Sequence, residues 1–219
     1  MELEDKFMLN LVKLPILRSN VALRVAKGHF ATSHSHINYY IDVTEQKTLL
    51  SGAQAVAKSM AKQYMHNTVI DTILCLDGMQ MVGTCLSEEL TRSGIMSINA
   101  HRAIHVITPA FTGDHKLLFR DNLLPTLKDK AVLILMASAS TGETANSCIE
   151  AVNYYGGTVV GLSAIYSASE KAANGMPINA LFHVSDLPDY GTYAPNECPM
   201  CRRGERIEAL VSGSGYSSL

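Results

Sequence analysis

The stretch that decides the fold is AVLILMASASTGET, residues 131–144. Its first six residues are continuously apolar, which is typical of a strand buried on both faces of a parallel sheet. Small and hydroxyl-bearing residues follow, and they let a backbone turn tightly. Residues 143–155 then carry apolar side chains at helical spacing. The stretch therefore predicts a strand, a tight loop and an amphipathic helix in direct succession.

The same alternation of strand and helix continues on both sides of this stretch. Further strands are expected at 37–43, 69–76, 103–108, 158–165 and 180–184, and further helices at 53–64 and 82–91. A loose apolar stripe also predicts a helix in residues 1–30, interrupted at Pro15. Alternation of this kind indicates an α/β fold, a parallel sheet flanked by helices.

Composition narrows the class of protein. The chain has 219 residues, 47% of them hydrophobic and 17% charged, with a net charge of −2. These values predict a globular chain and argue against broad attraction to nucleic acid or anionic membranes. No apolar run reaches the roughly 18 residues that a membrane helix needs, and the acidic N-terminus lacks the basic region of a secretory signal. Five cysteines, an odd number, favour free thiols in the cytoplasm.

The expected organisation has three parts. Residues 1–45 form an N-terminal segment, 46–190 the α/β core, and 191–219 a segment that contains Cys198-Pro-Met-Cys201. The end of the chain, 212–218, is rich in serine and glycine and is expected to be mobile.

Ligands of a parallel sheet bind beyond the carboxyl ends of its strands, here at 77–83, 109–116 and 136–144. The third junction offers hydroxyls at Ser140, Thr141 and Thr144, together with the free N–H groups of a helix N-terminus. These are the components of a phosphate-binding loop. A plain hydroxyl cap of the helix explains the same residues, and that alternative stays open. The Walker motif does not fit, because no Gly-Lys-Ser/Thr is present here.

Three motifs in order give the chain a family resemblance. Gly28-His29-Phe30 with the run 38–43, the stretch 131–144 and the Cys-Pro-x-Cys-Arg-x-Gly of 198–204 together resemble orotate phosphoribosyltransferases. The resemblance implies the type I phosphoribosyltransferase fold with a small N-terminal hood. It also implies transfer of ribose 5-phosphate from phosphoribosyl pyrophosphate (PRPP) to a nitrogenous base, with Mg²⁺ on the pyrophosphate, in a cytoplasmic homodimer of pyrimidine biosynthesis.

The resemblance assigns roles to particular residues. The 5′-phosphate would be surrounded by Ser138, Ala139, Ser140, Thr141, Gly142 and Thr144. The base would meet Phe30, His36 and Tyr39 in the hood. The resemblance leaves the catalytic residues unassigned. The chain itself offers Asp77, His115 and Lys116 as candidates, with Asp42 and Glu143 as further carboxylates and Arg102 and Arg120 as further cations.

The chain departs from the family pattern where the ribose is bound. The acidic pair that precedes the phosphate loop falls on Met136 and Ala137, which carry no charge. Hydrogen bonds to charged groups contribute roughly 1.5–3 kcal/mol each, so losing two removes on the order of 10²–10⁴ in rate. Met79 and Met81 add bulk to the pyrophosphate-binding turn. A divergent transferase, a nucleotide-binding module and a structural protein with a vestigial pocket all remain open.

Two further features concern metals and anions. Cys198 and Cys201 form half of a zinc site, which His183 or a second subunit would have to complete. A simple turn closed by Pro199 explains the same residues. His29, His34 and His36 form a histidine cluster. His34 and His36 are expected on one face of a strand, where they would bind a metal or, more readily, an anion.

Overall fold

The computed structural model describes residues 9–14, 21–92, 97–112, 117–140 and 142–219. The chain divides into two compact units. The smaller combines Met1–Thr44 with Val184–Leu219, and the larger is Glu45–His183. The first and last parts of the chain, which the sequence analysis assigns to separate segments, therefore belong to one unit.

Strands and helices are numbered in chain order. The strands are β1 Val12–Leu14, β2 Leu23–Ala31, β3 His36–Asp42, β4 Thr72–Cys75, β5 His105–Ile107, β6 Ala110–Phe111, β7 Leu117–Leu118, β8 Ala131–Ala139, β9 Thr158–Ser167, β10 Ile178–His183, β11 Thr192–Tyr193, β12 Ala209–Ser212 and β13 Gly215–Ser218. The α-helices are α1 Thr44–Thr48, α2 Leu50–Ala61, α3 Gln80–Thr91, α4 Glu143–Tyr154 and α5 Pro199–Arg202. Short 3₁₀ segments cover Asp121–Thr126, Val184–Asp186 and Pro195–Glu197.

The larger unit is built on a parallel sheet with the order β10-β9-β8-β4-β5. Adjacent strands in this order pair in parallel, and Thr72 of β4 lies opposite Val132 of β8. Every residue of β4 is buried, and β8 is buried along most of its length. The predicted α/β fold is thus confirmed, because continuous apolarity requires cover on both faces of these strands.

Helix α4 covers one part of this sheet. Its buried face, which includes Cys148 and Val152, joins a core cluster with Leu74, Ile134 and Leu162. The carboxyl ends of β4 and β8 lie at the same edge of the sheet, because the two strands are parallel neighbours. Residues that follow the two strands are thereby brought together.

The smaller unit contains a mixed sheet with the order β11-β3-β2-β12-β13, and β1 pairs with β2. Its core includes Phe30, Ile37, Tyr40 and Ala209. The helix predicted in residues 1–30 is wrong for the described residues 12–14 and 23–31, which form strands. Leu23 and Val25 are buried on either side of a half-exposed Arg24, a two-residue alternation that suits a sheet with one solvated face.

The end of the chain has regular structure, which its serine- and glycine-rich composition does not predict. Strands β12 and β13 form an antiparallel hairpin in which Val211 lies opposite Tyr216. Ala209 also lies opposite Phe30 in a parallel pairing with β2. Sheet pairing therefore orders a segment whose own propensity is weak.

No helix within the described part of the chain is long and apolar enough to cross a membrane.

Helix α3 lies very close to the sheet at Gly83, where an added Cβ would contact the Cys75 sulfur and lie 3.2 Å from Val106 Cγ1. Gly83→Ala should therefore lower the free energy of unfolding by about 1–3 kcal/mol. Urea unfolding measures the loss. In a Cys75→Ala background the sulfur is gone, so the same substitution should cost less. Equal costs in the two backgrounds would contradict the proposed contact.

Candidate functional site

Asp77 occupies the turn that follows β4, and its side chain reaches the neighbouring strand. Its Oδ2 accepts a hydrogen bond from the N–H of Ala137 at 3.3 Å. Its backbone carbonyl accepts one from the Lys47 ammonium at 2.9 Å. Asp77 and Gly78 both have positive φ, 50° and 78°, a conformation that aspartate and glycine tolerate better than most residues. The sequence thus forms a tight turn that aims a carboxylate at β8.

A second aspartate makes the same contact at the opposite edge of the sheet. Asp71 precedes β4, and its Oδ2 accepts a hydrogen bond from the Ala131 N–H at 3.0 Å. Its Oδ1 also accepts one from Arg102 at 2.7 Å. Arg102, a candidate cation of the sequence analysis, is therefore engaged at the amino ends of the strands, away from the turn at Asp77.

The two aspartates differ in electrostatics. The hydrogen bond from Ala131, followed by that from Arg102, outweighs burial and lowers the pKa of Asp71. At Asp77 burial dominates and raises the pKa, against the opposing effects of Ala137 and Lys47. Burial, with a smaller effect of Asp77, also raises the pKa of the Cys148 thiol to about 12. A carboxylate whose desolvation is incompletely compensated is characteristic of functional sites.

The loop between β8 and α4 begins beside this carboxylate. Ser140 is exposed, and Gly142 turns the chain into α4 with a φ of 80°. A Cβ at Gly142 would lie 3.4 Å from Cα of Ala172. Because glycine has no side chain to cap the helix, α4 begins without a side-chain hydrogen bond from that position. Unpaired N–H groups at a helix N-terminus attract anions.

The other residues predicted here take the following positions. Ala139 is buried, Ser138 is half-buried and Thr144 is exposed. Glu143 is also exposed and contributes a negative charge to the first turn of α4. Three of the predicted site residues, Thr141, His115 and Lys116, lie outside the described residues.

Met136 and Ala137 are buried where the resemblance leads one to expect two acids. Their exposed fractions are 1% and 0%. Met136 packs in the core and lies opposite Ala164 of β9. The carboxylate of Asp77 is hydrogen-bonded to the backbone N–H of Ala137. An acid that follows the neighbouring strand β4 therefore lies close to the position where β8 itself has no acidic side chain.

The turn at 77–79 is more open than the sequence suggests. Met79 was expected to add bulk there, but its side chain is fully buried at the start of α3. Among the described residues, the one atom within 4 Å of a Cβ added at Gly78 would be Lys47 Nζ, at 3.9 Å. Met81 is partly exposed on α3. The prediction was wrong for Met79 because this last residue of the turn, directly before α3, packs its side chain into the core.

The smaller unit contains a separate cluster of four possible metal ligands. His29, His36, Cys198 and Cys201 place their ligand atoms within 4.8 Å of one another. His29 Nε2 lies 3.1 Å from His36 Nδ1 and 3.6 Å from each sulfur. His36 Nδ1 lies 3.3 Å from the Cys201 sulfur. Burial and then the neighbouring His29 lower the pKa of His36, which favours the neutral, ligating form of its ring.

This cluster differs from the one that the sequence predicts. His34 is exposed in the turn between β2 and β3, so it does not share a strand face with His36. His183, expected as a further ligand, ends β10 and is not part of the cluster. In the hairpin Ala31 lies opposite His36 and Phe30 opposite Ile37, so His29 is a diagonal neighbour of His36. His29 belongs to the histidine cluster of the sequence, and its seven-residue spacing from His36 around a short turn brings the two rings together.

The remaining hood residues are engaged within the smaller unit. Phe30 is fully buried and makes an edge-to-face contact with Tyr40. Tyr39 stacks on Tyr190, and its hydroxyl donates a hydrogen bond to the Pro188 carbonyl at 2.8 Å. A role for Phe30, His36 and Tyr39 in binding a base stays a prediction.

Solved structures with similar folds are phosphoribosyltransferases. Orotate phosphoribosyltransferase of Mycobacterium tuberculosis has a TM-score of 0.53 at 17% identity, over 76% of this chain and 93% of that chain. Adenine phosphoribosyltransferase of Trypanosoma brucei has a TM-score of 0.50 at 14% identity, over 84% of this chain and 85% of that chain. The fold is therefore that of a type I phosphoribosyltransferase, as the motifs suggested.

Sequence comparison narrows the class further. Orotate phosphoribosyltransferase of Desulforamulus reducens is 30% identical over 190 residues, which cover 85% of this chain and 88% of the relative. No family model matches the sequence. The chain belongs to the orotate phosphoribosyltransferase family, and the resemblance inferred from its motifs is confirmed.

The raised pKa of Asp77 makes the stability of the protein depend on pH. The folded state retains the Asp77 proton above the ordinary pKa of 3.8, so ionisation of this residue lowers the free energy of unfolding as the pH rises between the two pKa values. Asp77→Asn does not ionise. Relative to the parent protein, the variant should therefore gain stability as the pH rises above 3.8, as measured by urea unfolding at a series of pH values.

Asp129→Asn provides the control. Asp129 also has a positive φ, 58°, but it precedes β8 at the other edge of the sheet. A stability difference for Asp77→Asn that does not change with pH would contradict the burial of an ionising carboxylate.

Proposed function

We propose that this chain binds PRPP at the shared edge of β4 and β8 and transfers its ribose 5-phosphate group to orotate or a related nitrogenous base. In this reaction a ring nitrogen of the base forms a bond to C1 of the ribose as the bond to pyrophosphate breaks. The observation that carries the proposal is the contact of the Asp77 carboxylate with the Ala137 N–H.

Asp77 would act in place of the acidic pair. It is held from two sides, by Ala137 at the side chain and by Lys47 at the carbonyl. A fixed carboxylate at this edge can accept hydrogen bonds from ribose hydroxyls and can oppose the positive charge that develops on the sugar. Preorganised charge of this kind is commonly the largest contribution to catalysis.

The 5′-phosphate would bind at the β8–α4 loop, through Ser138, Ala139, Ser140, Thr141, Gly142 and Thr144. Support comes from the exposed Ser140, from the left-handed Gly142 and from the start of α4. Glu143 is the unfavourable element, because its carboxylate lies in the first helical turn and repels a phosphate.

Mg²⁺ fits this proposal through the donor set. One carboxylate, Asp77, with pyrophosphate oxygens and waters is a usual set of ligands for this ion. When bound, the ion would neutralise charge on the departing pyrophosphate. Asp77 would hold it beside the open turn at Gly78.

The cellular setting is part of the same proposal. A transferase for orotate would act in pyrimidine nucleotide synthesis, in the cytoplasm. The family resemblance also favours a homodimer, which sedimentation at micromolar concentration can test.

A second function is favoured by a specific observation. Met136 and Ala137 are buried and apolar, so β8 supplies neither of the two expected carboxylates. A protein that retains the phosphate loop but not the ribose ligands would bind a nucleotide or a phosphorylated metabolite without transferring it.

Calorimetric titration separates the two functions. The parent protein should bind PRPP more tightly with Mg²⁺ than without it, and more tightly than ribose 5-phosphate. Asp77→Asn should weaken Mg²⁺-dependent PRPP binding by about 10-fold or more, because one charge-assisted contact is lost. Asp129→Asn should bind like the parent protein.

Orotate consumption in the presence of PRPP and Mg²⁺ then tests transfer. Measurable turnover that Asp77→Asn abolishes supports the transferase. Binding of a nucleoside monophosphate without preference for PRPP or Mg²⁺, and without turnover on orotate or other bases, would instead support the binding module. Absence of binding by all three ligands would contradict both.

Glu143 allows an independent test of the phosphate position. A carboxylate several ångströms from a bound phosphate opposes it by about 1 kcal/mol or less after screening. Glu143→Gln should therefore raise the affinity for ribose 5-phosphate about two- to fivefold, as measured by calorimetry. Glu150→Gln, farther along α4, should have a smaller effect. A fall in affinity for Glu143→Gln would place the phosphate elsewhere.

A further inference from the structure

We propose that His29, His36, Cys198 and Cys201 bind a structural Zn²⁺ ion in the smaller unit. The proposal does not depend on the phosphoribosyl chemistry, whose carboxylate and phosphate loop belong to the larger unit. It gives His36, which the family resemblance places near the base, the role of a metal ligand instead. Two imidazoles and two thiolates are a common ligand set for structural zinc. The four residues come from β2, from β3 and from the segment that contains α5.

The distances among the ligand atoms fit a tetrahedron. With Zn–N near 2.0–2.1 Å and Zn–S near 2.3 Å, a regular tetrahedron has edges of about 3.3 Å between nitrogens and about 3.6 Å between nitrogen and sulfur. The nitrogens of His29 and His36 are 3.1 Å apart. Three of the four nitrogen–sulfur distances are 3.6, 3.6 and 3.3 Å. The remaining nitrogen–sulfur distance and the sulfur–sulfur distance are at most 4.8 Å. Four of the six edges therefore already match those of a zinc tetrahedron.

The tautomer of His29 is fixed by its other ring nitrogen. Nδ1 lies 3.0 Å from the carbonyl oxygen of Glu205, to which it can donate its proton. Nε2 then keeps a lone pair directed at the cluster. A backbone carbonyl behind a ligating histidine is a frequent feature of zinc sites.

Charge and burial also suit zinc. Two thiolates cancel the charge of the ion, so the complete site is neutral. His29 and Cys198 are buried, whereas Cys201 is exposed and provides a route of entry. Each cysteine releases its thiol proton to solvent when the metal binds, so affinity should rise with pH.

The ion would add a second kind of anchor to a segment that has few buried side chains of its own. Between residues 194 and 208, Cys198 and Met200 are the buried residues. Helix α5 spans four residues, too few for stability by itself. A metal that joins this segment to the β2–β3 hairpin would close a long loop of chain, which stabilises the folded state.

The test uses the full chain expressed with zinc in the medium. Elemental analysis of the purified protein should find one zinc ion per chain. Cobalt(II) bound to zinc-free protein should give the intense absorption of a tetrahedral site with thiolate ligands. A chelator that removes the zinc should lower the thermal unfolding temperature.

Matched variants locate the site. Cys201→Ser and His36→Asn should each weaken zinc binding by more than about 100-fold. Residues that only support a metal ligand cost up to about 100-fold in affinity when they are replaced, and a direct ligand should cost more. Cys85→Ser and His34→Asn remove the same kinds of side chain outside the cluster and should retain full zinc. If a cluster variant fails to fold, the cobalt spectrum of the parent protein still decides the proposal.

Three outcomes would overturn it. The parent protein could contain little zinc and give no tetrahedral cobalt spectrum, which would leave a hydrogen-bonded cluster. Zinc could persist in the Cys201→Ser, His36→Asn double variant. Mass spectrometry without a reducing agent could show that the chain has lost two hydrogens, which would identify a Cys198–Cys201 disulfide instead.

Discussion

The pairing of β4 with β8 is the constraint on which the larger unit depends. The two strands keep one register from Thr72 opposite Val132 to Cys75 opposite Leu135. Asp71 and Asp77 extend this register beyond both ends, because each accepts a hydrogen bond from the backbone N–H of the opposite strand. Parallel neighbours also end at the same edge of the sheet, so the pairing sets the distance between the turn at Asp77 and the loop before α4.

The two aspartates illustrate how one geometry can serve different purposes. Asp71 has Arg102 as a partner, and its carboxylate is held in the charged state. Asp77 is desolvated without an equal compensation, so the fold gives up some stability to keep it charged. Residues that reduce stability in this way are expected where a protein meets a ligand.

The sequence predicts the larger unit well because its patterns have a single physical cause. Strand β8 reads as continuously apolar because both faces are covered, and α4 follows with a clear amphipathic period. The proximity of Asp77 to Ala137 is not visible in the sequence, since it depends on the register of two strands 60 residues apart. The burial of Met79 is also not visible in the sequence, because the position at which the turn ends and α3 begins decides which way that side chain faces.

The smaller unit was harder to predict, because its contacts join distant parts of the chain. Strand β2 alternates with a period of two only at its start, Leu23 to Val25, and the apolar stripe around it is equally consistent with a helix. Its partner strand β12 comes from the other end of the sequence, as do Cys198, which precedes α5, and Cys201 within it. His29 pairs with His36 through a hairpin register that a list of histidine positions does not reveal.

This discontinuity has a consequence for folding during synthesis. The backbone of His29 contacts Glu208, which lies 179 residues later in the chain. Strand β2 therefore leaves the ribosome long before β12, and the larger unit, made in between, can form its parallel sheet first. Strand β1 pairs with the first part of β2, at Leu23–Val25. Until β12 arrives, the stretch of β2 at Phe30 and Ala31 lacks the strand that pairs with it in the folded chain, and chaperones or other chains can reach this part of the edge.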